Sequence, residues 1–476
     1  MLRIFIVSLF LAFTFQVQAQ DKWSLQKCID YALENNLQVK QSNLDVESAD
    51  ISLFGSKMSN LPSVNGNLGL NTSTGRTIDP FTNTINDRGI NSQTAGISAS
   101  VPLFDGFQRY NSIKRDQYGQ LAAESDLKTI QNNVSLNVVT FYTNILFNKE
   151  LLETAKLRLE TTESQESRIE KQVEIGALAQ ADLLQIRQQK ANDELEVVRA
   201  ENNLNLSYLQ LKQALQIPAN QDFDIEIPEL PEPNTGELME SSANVYQYAL
   251  QNQPVIKAAE YRKESAFRSI GVARSRYYPS LSLNAGISTN YSDAAPAQFP
   301  VLGSENITIT RPIGIVENTG QLVVTQDEIP SEFRENTYWN QLDFNQRRFV
   351  GLSLNIPIFN QFQVRNSVQQ AIITKKRSDY QLTAAKNDLQ QTIEQAYLDV
   401  KAAAKSYSAL NNSFEASELS FKNAEQRLEL GAIDAVQFTQ IKNDFERVKS
   451  DLIRAKYDYI FKLKVLDFYQ GKPLNF

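Results

Sequence analysis

The residues able to do chemistry are few in kind. The 476-residue chain has no histidine and a single cysteine, Cys28. That excludes Ser-His-Asp and Cys-His nucleophilic catalysis, histidine-ligated metal sites and any internal disulfide. Carboxylate, lysine or tyrosine chemistry is what remains. The 55 Asp and Glu residues lie mostly on the faces of long helical patterns, where solvation accounts for them without a paired-carboxylate site. No catalytic residue, metal site or cofactor is expected. A periplasmic enzyme acting through carboxylates is the alternative, but it would need a compact pocket that so elongated a chain does not offer.

The chain begins with Arg3, an apolar run from Ile4 to Phe15 and the small-residue ending Val17-Gln18-Ala19. Residues 1–19 therefore read as a secretory signal peptide with cleavage before Gln20. Its removal takes away only Arg3, leaving 46 basic against 55 acidic residues. That acidic balance argues against nucleic acid or an anionic surface as partner. No later stretch reaches the roughly 18 uncharged apolar residues of a transmembrane helix. A β-barrel stays open.

The elements that must position any site are written twice. Tyr31-Ala-Leu-Glu-Asn-Asn36 recurs as Tyr248-Ala-Leu-Gln-Asn-Gln253, and Pro62-Ser63 as Pro279-Ser280, both at an offset of 217. Pro102-Leu103-Phe104 then matches Pro357-Ile358-Phe359, and Ile175-Gly176-Ala177 matches Leu430-Gly431-Ala432, at an offset of 255. An insertion of 38 residues in the second copy, between Pro279 and Pro357, accounts for the change. The first repeat spans 20–217, with a strand pair at about 62–104, a long helix at about 106–174 and a tip at 175–177. An irregular, proline-rich linker follows over 218–242. The second repeat spans 243–476, with its strand pair at about 279–359, long helix at about 361–429 and tip at 430–432.

The strand pairs alternate with period two. Leu281, Leu283, Ala285 and Ile287 oppose Ser282, Asn284, Gly286 and Ser288, while Val350, Leu352, Leu354 and Ile356 oppose Gly351, Ser353 and Asn355. In the first copy Val64, Leu68, Leu70, Ile97, Ala99 and Val101 oppose Asn65, Asn67, Ser98 and Ser100. Each run is about the 9 to 11 residues of a tilted membrane strand. Four strands cannot close a barrel and open edges are not tolerated in lipid, so several chains must contribute; three would give twelve strands. The connections at about 71–94 and 292–347 read as loops on the outer side.

The helices are too long for a compact domain. No proline interrupts 106–174 or 361–429, each about 100 Å of helix. Leu389, Ile393, Ala396, Val400, Ala403, Tyr407, Leu410 and Phe414 alternate spacings of four and three, the signature of coiled-coil packing. Flanking helices are expected over about 24–59 and 178–216. Phe104, Phe107, Phe359 and Phe362 recur where strand passes into helix, the place of an aromatic belt at the inner membrane interface.

This order of parts resembles the TolC-like outer membrane efflux protein family, through Tyr31 to Asn36, the junctions Pro102-Leu-Phe-Asp-Gly106 and Pro357-Ile-Phe-Asn-Gln361, and the tips Glu174-Ile-Gly-Ala177 and Glu429-Leu-Gly-Ala432. The resemblance implies a mixed α and β, internally duplicated membrane protein of the outer membrane. In a homotrimer, four transmembrane strands per chain would form a twelve-stranded barrel, and long coiled-coil helices a periplasmic tunnel. It implies no catalysis, a periplasmic adaptor docked on Ile175, Gly176, Ala177, Leu430, Gly431 and Ala432, and an inner-membrane pump behind it. Where well-known members carry an acidic pair that narrows the entrance, this sequence has Gln437 and Gln440, with Asp182 as the first-copy counterpart. The rival from another class is a trimeric surface adhesin with a barrel anchor, whose single stalk and terminal anchor the internal repeat does not match.

Overall fold

The computed structural model describes residues 22–78, 85–87, 89–228, 241–301, 304–430 and 432–474. The signal segment, Gly431 and, in the linker, Pro231 and Pro233 lie outside them. The chain packs as two compact units, each built from both copies: a helical unit of residues up to Ser52, Arg115–Ala266 and Ile373–Phe476, and a strand unit of Leu53–Lys114 and Phe267–Ile372.

The first copy runs α1 (Leu25–Asn35), α2 (Leu37–Met58), β1 (Ser63–Ser73), β2 (Thr77–Ile78), β3 (Ile85–Asn86), β4 (Ile90–Phe104), α3 (Gln108–Glu174) and α4 (Gln180–Leu215). The second runs α5 (Ser242–Asn252), α6 (Pro254–Ser275), β5 (Ser280–Ser292), β6 (Gln298–Pro300), β7 (Asn306–Ile315), β8 (Leu322–Pro330), β9 (Phe333–Glu335), α7 (Tyr338–Phe344), β10 (Arg347–Asn355), α8 (Gln363–Glu429) and α9 (Ala435–Tyr469). Two expectations change. The stretch read as one helix over 24–59 is broken at Asn36, whose extended backbone is held by bonds from its Nδ2 to the Ala214 carbonyl at 3.1 Å and from the Gln38 N–H to its Oδ1 at 2.9 Å. Gln253 makes the same break before Pro254, which disfavours helix at the residue preceding it. The repeated Tyr-Ala-Leu motif now has a physical reading: Asn35 and Asn252 each donate back to the carbonyl of Tyr31 and Tyr248, closing the helix before the break. The second change is the 292–347 connection, which is not irregular but contains the β7–β8 hairpin, the β6–β9 pair and α7.

In the helical unit Leu389, Ile393, Val400, Ala403 and Tyr407 are buried, as coiled-coil spacing requires. The first copy's core gathers on Tyr142, whose hydroxyl lies 2.6 Å from the Glu226 carbonyl and 3.2 Å from that of Trp23, tying the linker to the chain's first described residues. Cys28 sits in this core with its thiol pushed up to about 12 by burial, an inert packing residue.

A buried polar cluster crosses the copies. Asp193 of α4 accepts from Arg158 Nε at 2.6 Å, Thr162 Oγ1 at 2.6 Å and Gln189 Nε2 at 2.9 Å. Lys442 of α9, also buried, donates to Thr162 Oγ1 at 2.7 Å. Burial draws the Lys442 ammonium below its usual range against the pull of Asp193 and Glu446.

In the strand unit one antiparallel sheet has the order β1-β4-β5-β10. Both strand-to-helix junctions turn through consecutive left-handed residues: Gly106 (φ 65°) and Phe107 (φ 67°) in the first copy, Gln361 (φ 54°) and Phe362 (φ 62°) in the second. Glycine is required at the first, because a Cβ on Gly106 would be driven into the Ser275 carbonyl and to 2.8 Å from Tyr278 Cβ. Gln361 bears the left-handed cost that Gly106 avoids.

Asp193→Asn strips the counter-charge from half-buried Arg158 and buried Lys442 and should cost about 3 kcal/mol or more, whereas Lys442→Met, which keeps volume and removes the cation, should cost less than half of that; thermal loss of helical circular dichroism checks the difference. In the same assay Gln361→Gly should stabilise by roughly 1 kcal/mol and Gly106→Ala should destabilise.

Candidate functional site

Strand register sorts the sheet into two faces of unlike chemistry. Val64 stands opposite Ala99, which stands opposite Ala285, which stands opposite Val350. Following that register, one face carries Leu68, Leu70, Ile97, Val101, Leu283, Ile287, Leu352 and Leu354. The other carries Asn65, Asn67, Ser98, Ser100, Ser282, Asn284, Gly351 and Ser353. Among the ladder residues each face holds one charge, Arg348 and Arg347 respectively, side by side at the start of β10. The aliphatic rows of the apolar face on its outer strands are uncovered among the described residues: Leu68 is 68 % exposed and Val350 77 %. Strands β1 and β10 each have a single partner, so both edges of the sheet are open.

The junction phenylalanines repeat one geometry. Phe104 and Phe107 meet edge to face at 5.5 Å, and Phe359 and Phe362 do so at 5.7 Å. The left-handed turn makes these pairs possible by folding the second ring back on the first. Phe107, Phe359 and Phe362 are largely exposed, and Phe104 is half-buried, 37 % exposed.

At the tips each long helix ends in the same hydrogen-bonded stop. Gly176, at φ 77°, donates to the Val173 carbonyl at 2.9 Å, and Ala177 reaches back to Gln172 at 2.8 Å. Ala432 makes the equivalent bond to Arg427 at 2.8 Å; Gly431 lies outside the described residues. This six-to-one closure satisfies helix-end carbonyls and lets the chain reverse in a few residues. It also pushes Ile175 and Leu430 outward, 80 % and 83 % exposed. The residues expected to line the entrance are placed near the starts of α4 and α9. Asp182 accepts from the Ala179 N–H at 3.2 Å and so caps α4, while Gln437 and Gln440 are exposed. Just after the second tip, Asp434 caps α9 by accepting from the Gln437 N–H at 2.8 Å. Sequence reasoning passed over this residue, although Asp followed by an apolar periodic run is the mark of a helix start.

The two hairpins are held together by different forces. The first is ionic: Arg187 reaches Glu166 at 3.0 Å and Glu170 at 2.8 Å, and Lys190 reaches Glu163 at 3.2 Å and Glu166 at 3.3 Å. The second is aromatic: Phe421 stacks on Phe445 at 4.9 Å and tilts on Phe438 at 5.8 Å, with Phe414 on Phe445 at 5.7 Å. Burial raises the Glu166 carboxyl, but its bonds to Arg187 and Lys190 outweigh that and hold it below its ordinary 4.5. Its stabilising contribution is therefore present above that value and lost as pH falls below it. At about pH 3, amide exchange corrected for its intrinsic pH dependence should accelerate along 163–190 and stay unchanged along 421–445; equal responses would contradict the assignment.

The outer membrane efflux protein family model matches residues 28–215, 245–315 and 335–471. Outer membrane protein TolC of Escherichia coli K12 is 21% identical over 374 residues, 78% of this chain and 68% of TolC. The cation efflux system protein CusC of the same strain is 27% identical over 284 residues, 56% of each chain. Outer membrane efflux protein BepC of Brucella suis is 19% identical over 432 residues, 90% of this chain and 81% of BepC. A crystal structure of CusC aligns with a TM-score of 0.70 at 18% identity, covering 95% of this chain and 93% of that one. The Campylobacter jejuni CmeC outer membrane channel aligns at 0.68 and 18% identity, over 95% and 87%. The chain thus has the fold of these channels, and with most of its length matched by the family model it belongs to the outer membrane efflux protein family.

Proposed function

We propose that this outer-membrane protein is the passive exit duct of a tripartite efflux or type I secretion assembly. Three copies close one twelve-stranded barrel, and their helices line a tunnel in the periplasm. A periplasmic adaptor docks on the tips, an inner-membrane pump supplies the energy, and the chain itself catalyses nothing. The observation that carries this reading is the uncovered apolar face of a sheet with two open edges. Lipid accounts for the face, and neighbouring copies for the edges. Strands β1 and β10 run in opposite directions within the four-stranded order, so β10 of one copy and β1 of the next would pair antiparallel, as closure of an even-numbered barrel needs. A second feature agrees: Leu37, Leu44, Ile51 and Met58 form an exposed stripe on α2 at a spacing of seven, a coiled-coil seam without a partner in its own chain among the described residues.

Ile175 and Leu430 are the docking contacts in this account, presented by the helix stops. Their apolar side chains would be covered by the adaptor, which in turn favours the more open packing of the hairpins. At rest the entrance is narrowed by helix packing and by the uncharged Gln437 and Gln440, with Asp182 engaged at the start of α4. The inner-interface belt is formed by Phe104, Phe107, Phe359 and Phe362.

Replacing Ile175 and Leu430 together with Asp removes two buried aliphatic contacts worth about 1.5–3 kcal/mol each and should weaken docking at least tenfold. In cells lacking the native chain, export by the double variant should fall accordingly at an unchanged outer-membrane level. Full export at that level would remove the tips from the docking role.

A further inference from the structure

Helix α7 is seven residues long, too short to persist without tertiary support. Its support comes from β4 and β5. Gln341 is buried and brackets Ser292, donating to its carbonyl at 3.1 Å and accepting from its N–H at 3.0 Å. The Thr289 hydroxyl donates to the Leu342 carbonyl at 2.5 Å, and Tyr338 donates from its hydroxyl to Gln93 Oε1 at 2.7 Å while its ring lies 4.9 Å from that of Tyr291. The Thr337 side chain caps the first turn. The helix is thus fixed in orientation, and its exposed side chains include Trp339, 75 % exposed, Phe344, 51 % exposed and stacked on Phe299 at 4.4 Å, and Asp343 between them.

The side of the sheet on which it sits is decided by register. Thr289 and Tyr291 continue the series Leu281, Leu283, Ala285, Ile287 on β5, and Gln93 is the cross-strand partner of Tyr291. The three sheet side chains that touch α7, Thr289, Tyr291 and Gln93, therefore belong to the apolar face, while Gln341 takes the backbone of Ser292 at the strand end. Height is decided by spacing. Ten residues separate Leu281, beside Phe104, from Tyr291; at about 3.3 Å per residue and a tilt near 40° they rise about 25 Å, the height of the apolar band of a membrane barrel. The junction phenylalanines stand at one limit of that band and α7 at the other.

We propose that α7 is a lipid-interface anchor, laying Trp339 and Phe344 into the outer leaflet at the boundary between polar headgroups and acyl chains. The occupant is lipid because the exposed rings continue the lipid-facing surface of the sheet, and because a ring with an apolar body and a polar edge favours that boundary. The inference rests on the barrel reading above. Part of the second copy's insertion then sets the depth of the barrel at its outer rim, opposite the inner aromatic pairs.

The chain has two tryptophans, and the second, Trp23, lies in the helical unit's core. The Trp23→Phe full-length protein, reconstituted in phosphatidylcholine vesicles, therefore reports on Trp339 alone. Lipid brominated on the acyl chain close to the glycerol should quench its emission roughly twofold or more, and aqueous acrylamide should quench it little, as for an interfacial ring. A second protein, carrying Trp23→Phe, Trp339→Phe and Val350→Trp, places the only tryptophan on the sheet's lipid face. Quenching by brominated lipid at position 350 but not at 339, with Trp339 open to acrylamide, would overturn the anchor and leave the barrel standing. Absence of lipid quenching at both positions would overturn the barrel reading and the anchor with it.

Discussion

Backbone N–H and C=O groups cannot be left unpaired in hydrocarbon, where each costs several kcal/mol. The rest of the structure depends on that constraint. A sheet of four strands with one predominantly aliphatic face and two open edges is not a finished object in water or in lipid. In water the aliphatic rows on β1, β4, β5 and β10 would be solvated; in lipid the edges would be left unpaired. Both demands are met when copies of the chain pair edge to edge, which turns the uncovered face to the membrane and the serine and asparagine face inward. Duplication halves the problem, since each chain brings two related strand pairs and three chains bring a near-sixfold ring.

The two helical hairpins are held together by unequal forces. Ionic pairs between α3 and α4 are partly solvated, worth little each and weakened by salt. The phenylalanine ladder between α8 and α9 loses contact area all at once if it separates. Between them the buried cluster of Arg158, Thr162, Asp193 and Lys442 couples α9 to the first hairpin well away from the tip residues. Breaking a buried pair is far costlier than separating an exposed one. The cluster therefore holds the register of the three helices where they meet.

Much of this was legible from spacing alone. Period-two alternation in 281–287 and 350–356 identified which side chains share a face, and the structure's register joins them across strands without a slip. Heptad spacing identified Leu389, Ile393 and Val400 as buried before any packing was known. What escaped depended on contacts distant in sequence. Asn36 ends α1 with help from the Ala214 carbonyl, 178 positions away, and no local pattern announces that partner. The left-handed Gln361 was hidden because glycine marks such a conformation and glutamine does not. Residues 338–344 look like part of a polar connection, and their helix is held by partners elsewhere in the chain: Gln341 finds both backbone groups of Ser292, and Tyr338 reaches Gln93. Asp182 and Asp434 were harder to interpret for another reason: a carboxylate near a tip can cap a helix or face a lumen, and sequence position does not separate the two.

If lipid-facing sheets from three chains close one barrel, the protein extracted from isolated outer membranes should have, after correction for bound detergent, three times the mass of the mature chain. A monomer recovered from those membranes would contradict the shared barrel, because four strands cannot close, and no other element among the described residues covers the open edges of β1 and β10.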